Sequence, residues 1–146
     1  MNEPRVTKRT EGSATALGPF LTDVAVALEK RRKAIRHKVR DLRIERAVDR
    51  LSADEPDKLE VSAKVGSAKL RMFVWEDRWV FVDARTPTKV EGWLWESTQE
   101  GRLIGGDVQV LVSALEASVD ATRGQSSDDL SCLWDSLLAK GPRLAS

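Results

Sequence analysis

Residues 70–82, LRMFVWEDRWVFV, constrain the fold of this chain more than any other segment does. They hold two of the three Phe and two of the five Trp residues in a sequence of 146 residues that has no Tyr. The apolar residues form two short runs on either side of Glu76 and Asp77. This pattern predicts a β-hairpin with a polar two-residue turn.

The turn also sets the register of the hairpin. It places Val74 opposite Trp79 and Met72 opposite Phe81 on the predicted core face. It places Phe73 and Trp75 on the other face. The arginines beside them are Arg71 and Arg78. Glu-Asp is a poor type I′ turn, and a slip by one residue would exchange the faces of one strand. Two interpretations of the second face stay open: helices cover it, or it is a platform where the aromatic rings stack on bases and the arginines bind phosphates.

Composition predicts a single soluble domain with a sizeable core. Apolar residues make up 41% of the chain and charged residues 32%, which is typical of a globular protein. No run approaches the roughly 18 apolar residues of a transmembrane helix. The N-terminal residues lack the apolar region of a secretory signal, and Cys132 is the only cysteine. We therefore expect a cytoplasmic protein that has no contact with membranes.

Charge is distributed unevenly along the chain, although the net charge is only +1. Residues 30–50 carry ten basic and three acidic groups, and residues 51–146 carry eleven basic and sixteen acidic groups. A basic segment therefore precedes an acidic domain. This asymmetry is the strongest indication of function in the sequence.

The basic segment reads as part of a long amphipathic helix over residues 20–52, because neither Pro nor Gly interrupts it. Its apolar residues fall on one stripe at helical period, formed by Leu17, Leu21, Val24, Leu28, Ile35, Val39 and Leu42. Ile44, Val48 and Leu51 lie on the opposite side. Either the helix kinks or breaks near residues 41–43, or its last turns pack against a different partner.

Candidate binding residues lie on this predicted helix and on the hairpin. Arginines line one flank of the apolar stripe, at Arg32, Arg36, Arg40, Arg43 and Arg50, and an acidic column at Asp41, Glu45 and Asp49 lines the other. Opposite charges on the two flanks would pair across a parallel two-helix interface whose apolar contacts include Ile35, Val39 and Leu42. The same arginines have the charge needed to bind phosphates. A third interpretation also stays open, in which the basic face is solvated or pairs within the molecule with the acidic remainder of the chain. Phe73 and Trp75 of the hairpin complete the set of candidates.

The remaining pattern predicts an α+β fold. A three- or four-stranded antiparallel meander is expected over residues 58–96, and helices over 107–121 and 128–140 are expected to pack on the sheet. Asp107 and Ser127 are the predicted helix caps. Residues 1–18 are predicted to form a disordered arm, residues 19–141 a single domain and residues 142–146 a tail.

Catalytic and metal-binding patterns find little support in the sequence. His37, the only histidine, lies in the basic run KAIRHKVR without an acidic residue three or four positions away. Cys132 lies among apolar residues and is predicted to be a small buried side chain. One His and one Cys do not form a metal site, and no cofactor-binding motif occurs. We therefore expect neither a metal nor a cofactor.

These patterns favour a non-enzymatic adaptor or regulatory module. It would dimerise or bind a protein partner through helix 20–52. The alternative is a nucleic-acid-binding protein that uses the arginine stripe of residues 30–50, together with the face that carries Trp75. An enzyme whose site has no recognisable motif is the third hypothesis. No motif is specific enough to name a family.

Overall fold

The structure, a computed structural model, describes residues 18–47, 57–86, 95–105 and 107–139. Two helices, α1 (Pro19–Lys30) and α2 (Arg32–Arg36), come first. Five strands follow: β1 (Arg40–Ala47), β2 (Lys58–Val65), β3 (Ala68–Trp75), β4 (Trp79–Thr86) and β5 (Trp95–Leu103). The described chain ends with α3 (Val108–Arg123), α4 (Ser127–Asp135) and the short β6 (Leu138–Ala139).

The six strands form one antiparallel sheet in the order β1-β2-β3-β4-β5-β6. Successive strands are neighbours throughout, which is the simplest topology for a meander. Alternate residues of β2, β3 and β4 are buried on one face, including Leu70, Met72 and Val74 of β3. Leu21 and Leu28 of α1 and Leu111 and Leu115 of α3 are buried in the same core cluster. The helices therefore form one layer on one face of the sheet, and the predicted α+β class is confirmed.

The β3–β4 hairpin has a register one residue away from the predicted one. Val74 lies opposite Val80, and Phe73 lies opposite Phe81. The Trp75 carbonyl accepts the Arg78 N–H at 2.9 Å, and Arg78 has a φ of 71°. The loop thus contains three residues, a turn followed by a left-handed residue, rather than two. The predicted core face of β3 is correct, but the prediction that Trp79 and Phe81 share it is wrong.

The predicted helix over residues 20–52 is also wrong. Helix α1 ends at Lys30, α2 ends at Arg36, and residues 40–47 form an edge strand. In this strand the half-buried Leu42 and Ile44 alternate with the exposed Arg43 and Glu45, which is a period of two. The apolar residues change sides near residue 42 because the chain changes from helix to strand. Residues 48–52 lie outside the described part.

The C-terminal half agrees better with the sequence. The predicted helices over 107–121 and 128–140 correspond to α3 and α4, although the chain turns into β6 after the end of α4. The Asp107 carboxylate accepts the Gln109 N–H at 2.8 Å and caps α3 as predicted. Helix α4 is capped by Ser126 rather than by Ser127. With β1 and β6, the sheet in the described part of the chain has six strands instead of three or four.

The predicted domain division stays a prediction. Residues 1–17 of the predicted arm at 1–18 and the predicted tail at 142–146 lie outside the described residues. Within the described part, no helix is long and apolar enough to span a membrane.

Candidate functional site

Phe73, Trp75 and Phe81 lie on the face of the sheet opposite the helical layer, and we call this the aromatic face. Phe73 and Trp75 are two residues apart on β3, so their side chains point the same way. Phe81 is the direct cross-strand neighbour of Phe73. The described helices do not cover this face, because their buried side chains pack on the other one.

The three aromatic rings form a cluster at the centre of this face. The ring centroids of Phe73 and Phe81 are 6.3 Å apart, and those of Phe73 and Trp75 are 6.0 Å apart. The rings are tilted by 41° and 44°, a favourable arrangement for their quadrupoles. All three side chains are only partly buried. The cluster therefore presents apolar ring area outside the core of the protein.

Two cations lie against this cluster. The Lys58 ammonium is 5.2 Å from the Phe73 ring centroid and 5.5 Å from the Trp75 centroid. The Arg71 guanidinium is 5.3 Å from the Phe73 centroid. These distances fall within the range of cation–π attraction, which holds the long side chains beside the rings. The centre of the face is thus both aromatic and basic.

Asp83 anchors the arginines on one side of the cluster. It is only 2% exposed, and its carboxylate accepts hydrogen bonds from Arg71 at 3.5 Å, from Thr98 at 3.3 Å and from Arg85 at 3.1 Å. A buried carboxylate requires such partners, and both guanidinium groups are oriented by it. A small cavity of about 110 Å³ lies between Lys69, Arg71, Asp83 and Arg85.

Acidic residues flank the aromatic pair along the row that crosses the strands. Glu60 of β2 lies opposite Phe73, and Glu100 of β5 lies opposite Phe81. At the end of the row, Glu45 of β1 lies opposite Glu60. A polar cavity of about 320 Å³ opens beside these glutamates, and it is also lined by Arg43 and by lysines of β2 and β3.

The predicted apolar binding residues of the basic segment lie within the molecule. Ile35 is 2% exposed and Val39 is 8% exposed, and both belong to the core cluster. Leu42 is half-buried and packs against the same cluster. Their stripe therefore faces the sheet and α3 rather than an external helix.

The predicted arginine stripe is distributed over different parts of the structure. Arg32 forms an ion pair with Glu29 and donates to the Leu42 carbonyl at 3.3 Å. Arg40 donates to the Gly66 carbonyl at 2.9 Å. Arg36 is exposed at the end of α2, Arg43 lies on the aromatic face, and Arg50 lies outside the described residues. One flank of a single helix does not carry them.

Phe73 and Trp75 are the predicted pair that the structure brings together. Sequence reasoning missed Phe81, because the shorter predicted loop assigned it to the core face. It also missed Lys58, whose place beside the rings depends on the β2–β3 register, in which Lys58 lies opposite Trp75.

The two reactive side chains lie on separate helical elements. His37 is exposed in the turn after α2, and Cys132 is exposed on α4. The prediction that Cys132 is buried is wrong, because Leu130 and Trp134 occupy the buried side of that helix. No group of three or more His, Cys, Asp or Glu side chains in the described ranges is arranged to hold a metal ion.

Comparisons with known proteins do not identify the chain. It matches no protein-family model, and the searches of curated proteins and of solved structures give no significant match.

Proposed function

We propose that this protein is a non-enzymatic binding module that holds a protein partner on its aromatic face. The observation that carries the proposal is the Phe73–Phe81 pair, which lies at the centre of the face between Glu60 and Glu100. The predicted role as an adaptor is kept, but its surface differs from the one expected from the sequence, because Ile35 and Val39 belong to the core.

The composition of the face resembles that of a protein-binding surface. Such surfaces place aromatic residues and arginine at the centre and charged residues at the rim. Phe73, Phe81 and Arg71 form the centre, and the rim carries both signs of charge. Burying the two rings would release water from apolar area, and the oriented guanidinium of Arg71 would add hydrogen bonds with little loss of side-chain freedom.

The charge on the face favours a protein over a polyanion. In the described strands, counted from Arg43 of β1 after the irregular pairing at Arg40, strand alternation assigns seven basic residues to it, Arg43, Lys58, Lys64, Lys69, Arg71, Arg85 and Arg102. It also assigns five acidic residues, Glu45, Glu60, Asp83, Glu96 and Glu100. Seven minus five gives a net charge of only +2, and the glutamates lie next to the rings. A phosphate backbone stacked along the row would meet their carboxylates, whereas a protein of mixed charge can pair with both signs.

Binding of single-stranded nucleic acid is the second candidate. Lys58 and Arg71 lie within 5.3 Å of the Phe73 ring centroid. Aromatic side chains beside cations are the usual platform for unpaired bases. The basic small cavity between Lys69, Arg71 and Arg85 supplies a second place for a phosphate.

Site-specific crosslinking tests the proposal. A photoreactive amino acid is placed at one of two positions. Lys69 is exposed on β3 on the aromatic face, and Val26 is 49% exposed on α1 in the helical layer. Crosslinked proteins are then identified after illumination of the native host cells. We expect one protein to crosslink at position 69 and not at position 26, and to be lost when Phe73→Ala and Phe81→Ala are introduced together.

The control for those two substitutions is Val26→Ala, which removes exposed apolar area from the other side of the molecule. Crosslinking that persists without both phenyl rings would overturn the proposal. Fluorescence anisotropy with mixed-sequence single-stranded DNA and RNA tests the second candidate. Salt-sensitive binding that depends on Phe73 and Arg71 would replace the protein partner with a nucleic acid.

A further inference from the structure

Strand β1 lies at the edge of the sheet. Its one neighbour in the described part of the chain is β2, with which it pairs antiparallel from Arg43 to Ala47. An edge strand presents a row of backbone N–H and C=O groups on its outer side, and another strand can pair with them. The β6 end of the sheet differs, because β6 has only two residues.

Two charges on β1, those of Arg43 and Glu45, are poorly matched within the molecule. Two others have partners, because Arg46 pairs with Asp57 at 3.0 Å and Asp41 pairs with Lys64 at 3.4 Å. Glu45 lies opposite Glu60, and like charges directly across a sheet destabilise it. Arg43 lies opposite Ser62, which carries no charge. No ion pair links Arg43, Glu45 or Glu60 to any residue of the described ranges. An exposed cation and an exposed carboxylate, two residues apart on one face, are thus left for another molecule.

We propose that the β1 edge binds β1 of a second copy of this chain, antiparallel and about a two-fold axis at Ile44. In this register Arg43 of each copy lies opposite Glu45 of the other, because 43 and 45 are equally far from the axis. Two symmetric ion pairs form, and each places a guanidinium next to the Glu45–Glu60 carboxylates. The strand is self-complementary in charge, as an isologous interface requires.

Charge selects this register over its neighbours. A shift of the axis to Arg43 would place two arginines directly opposite each other, and a shift to Glu45 would do the same with two glutamates. Both arrangements add a repulsive cross-strand pair at the centre of the interface. With the axis at Ile44, the two helical layers lie on the same side of a continuous twelve-stranded sheet, and the two aromatic faces lie on the other side.

Arg32 limits the number of residues that can pair between the β1 strands of the two copies. Its guanidinium donates to the Leu42 carbonyl at 3.3 Å, and Asp41 has a φ of 53°, which interrupts the strand before Arg43. The regular pairing therefore covers Arg43, Ile44 and Glu45 of each copy and little more. Such a short interface predicts a reversible dimer rather than an obligate one.

Two charge reversals test the proposal in the full chain. Arg43→Glu makes both cross-strand pairs Glu–Glu, and Glu45→Arg makes both Arg–Arg. We expect each variant alone to dimerise roughly tenfold or more weakly than the unmodified chain, by sedimentation equilibrium at low salt. An equimolar mixture of the two variants is expected to form a heterodimer, because every cross-strand pair in it joins opposite charges.

The double variant Arg43→Glu with Glu45→Arg is the matched control. It exchanges the two charges within one chain, so its homodimer regains both ion pairs and is expected to form. Recovery of dimers in the mixture and in the double variant also shows that the single variants are folded. An unmodified chain that stays monomeric at every soluble concentration would overturn the proposal, as would a dimer that the reversals leave unchanged or that neither control restores.

The dimer does not depend on the function proposed for the aromatic face. Phe73→Ala with Phe81→Ala is expected to leave the dimerisation constant unchanged, because the two rings lie on β3 and β4, separated from the edge by β2. A loss of dimers in this variant would place the interface on the aromatic face itself and would overturn the assignment to β1.

Discussion

The Glu76 carboxylate in the β3–β4 loop accepts the backbone N–H of Phe20 in the first turn of α1 at 3.1 Å. It also accepts the N–H of Leu21 at 3.1 Å. Gly18 at the N-cap has no side chain with which to cap the helix. A residue more than fifty positions away thus satisfies two of the free N–H groups at this helix end, and its negative charge is favourable there. This contact fixes the hairpin loop to the helical layer.

Glu76→Ala is expected to lower the free energy of unfolding by about 1–2 kcal/mol, the usual effect of removing a helix cap. Urea denaturation monitored by circular dichroism measures it. Glu96→Ala is the control, because Glu96 is an exposed carboxylate whose pair with Arg85 spans 3.4 Å. Equal midpoints for the two variants would show that the cap does not stabilise the fold.

Gly18→Ala provides an independent check of the same contact. A Cβ atom at position 18 would overlap with Cδ of Glu76, so the carboxylate must move away from the helix end. Gly18→Ala and Glu76→Ala remove the same hydrogen bonds. We therefore expect the double variant to lose less free energy of unfolding than the sum of the losses in the two single variants.

Substitution of Ile35 tests whether this side chain belongs to the core or to a helix-mediated dimer interface. It is 2% exposed in the core cluster, so Ile35→Ala is expected to lower the free energy of unfolding by about 2–4 kcal/mol. Ile35→Asp is expected to unfold the chain rather than to yield a folded monomer. Val26→Asp, at a position 49% exposed on α1, is expected to remain folded. A folded, monomeric Ile35→Asp variant would support the helix-mediated dimer instead.

Local sequence patterns correctly predict the helices and strands in which apolar residues recur at a regular spacing along the whole element. Alternation along β3 identifies Leu70, Met72 and Val74 as its buried face, and the apolar stripe of α3 follows its Asp107 cap. In β1 the same signal is reduced to Leu42 and Ile44 among charged residues. Arginine and glutamate also favour helices, so an edge strand of this composition reads as a helix.

The residues that share the aromatic face can be predicted only where the pairing register of the strands can be predicted. Phe73 and Trp75 share a face because they are two residues apart, whatever their partner strand does. Phe81 joins them because Arg78, which is not glycine, adopts a positive φ and lengthens the loop. The position of Glu45 opposite Glu60 could not be foreseen, since it requires β1 to be a strand.

Trp134 and Ser118 form a buried hydrogen bond between α4 and α3. Both residues are 0% exposed, and the indole N–H donates to the serine hydroxyl at 2.8 Å. Ser118→Ala would leave that N–H without a partner, and we expect a loss of about 1–3 kcal/mol in the free energy of unfolding. Ser113→Ala, at an exposed position of the same helix, is the control in thermal and urea denaturation. Similar losses in both variants would contradict this role.

Glu116 is expected to make stability depend on pH. Its carboxylate accepts two hydrogen bonds from Arg31, at 2.6 and 3.0 Å, and these lower the pKa of Glu116 below its ordinary value of 4.5, whereas partial burial opposes the shift. A carboxyl group with a lowered pKa stabilises the folded state above its unfolded pKa, and this contribution disappears as the pH falls through the folded pKa.

The unmodified chain is therefore expected to be more stable than Glu116→Gln at pH 7. The difference should decrease below pH 4.5, the ordinary pKa of the group, and vanish in stronger acid. Urea denaturation at a series of pH values measures it. Glu96→Gln is the control, because that exposed carboxylate has a single ion pair among the described residues, the 3.4 Å pair with Arg85. A stability difference for Glu116→Gln that stays constant with pH would show that the side chain acts through packing rather than through its charge.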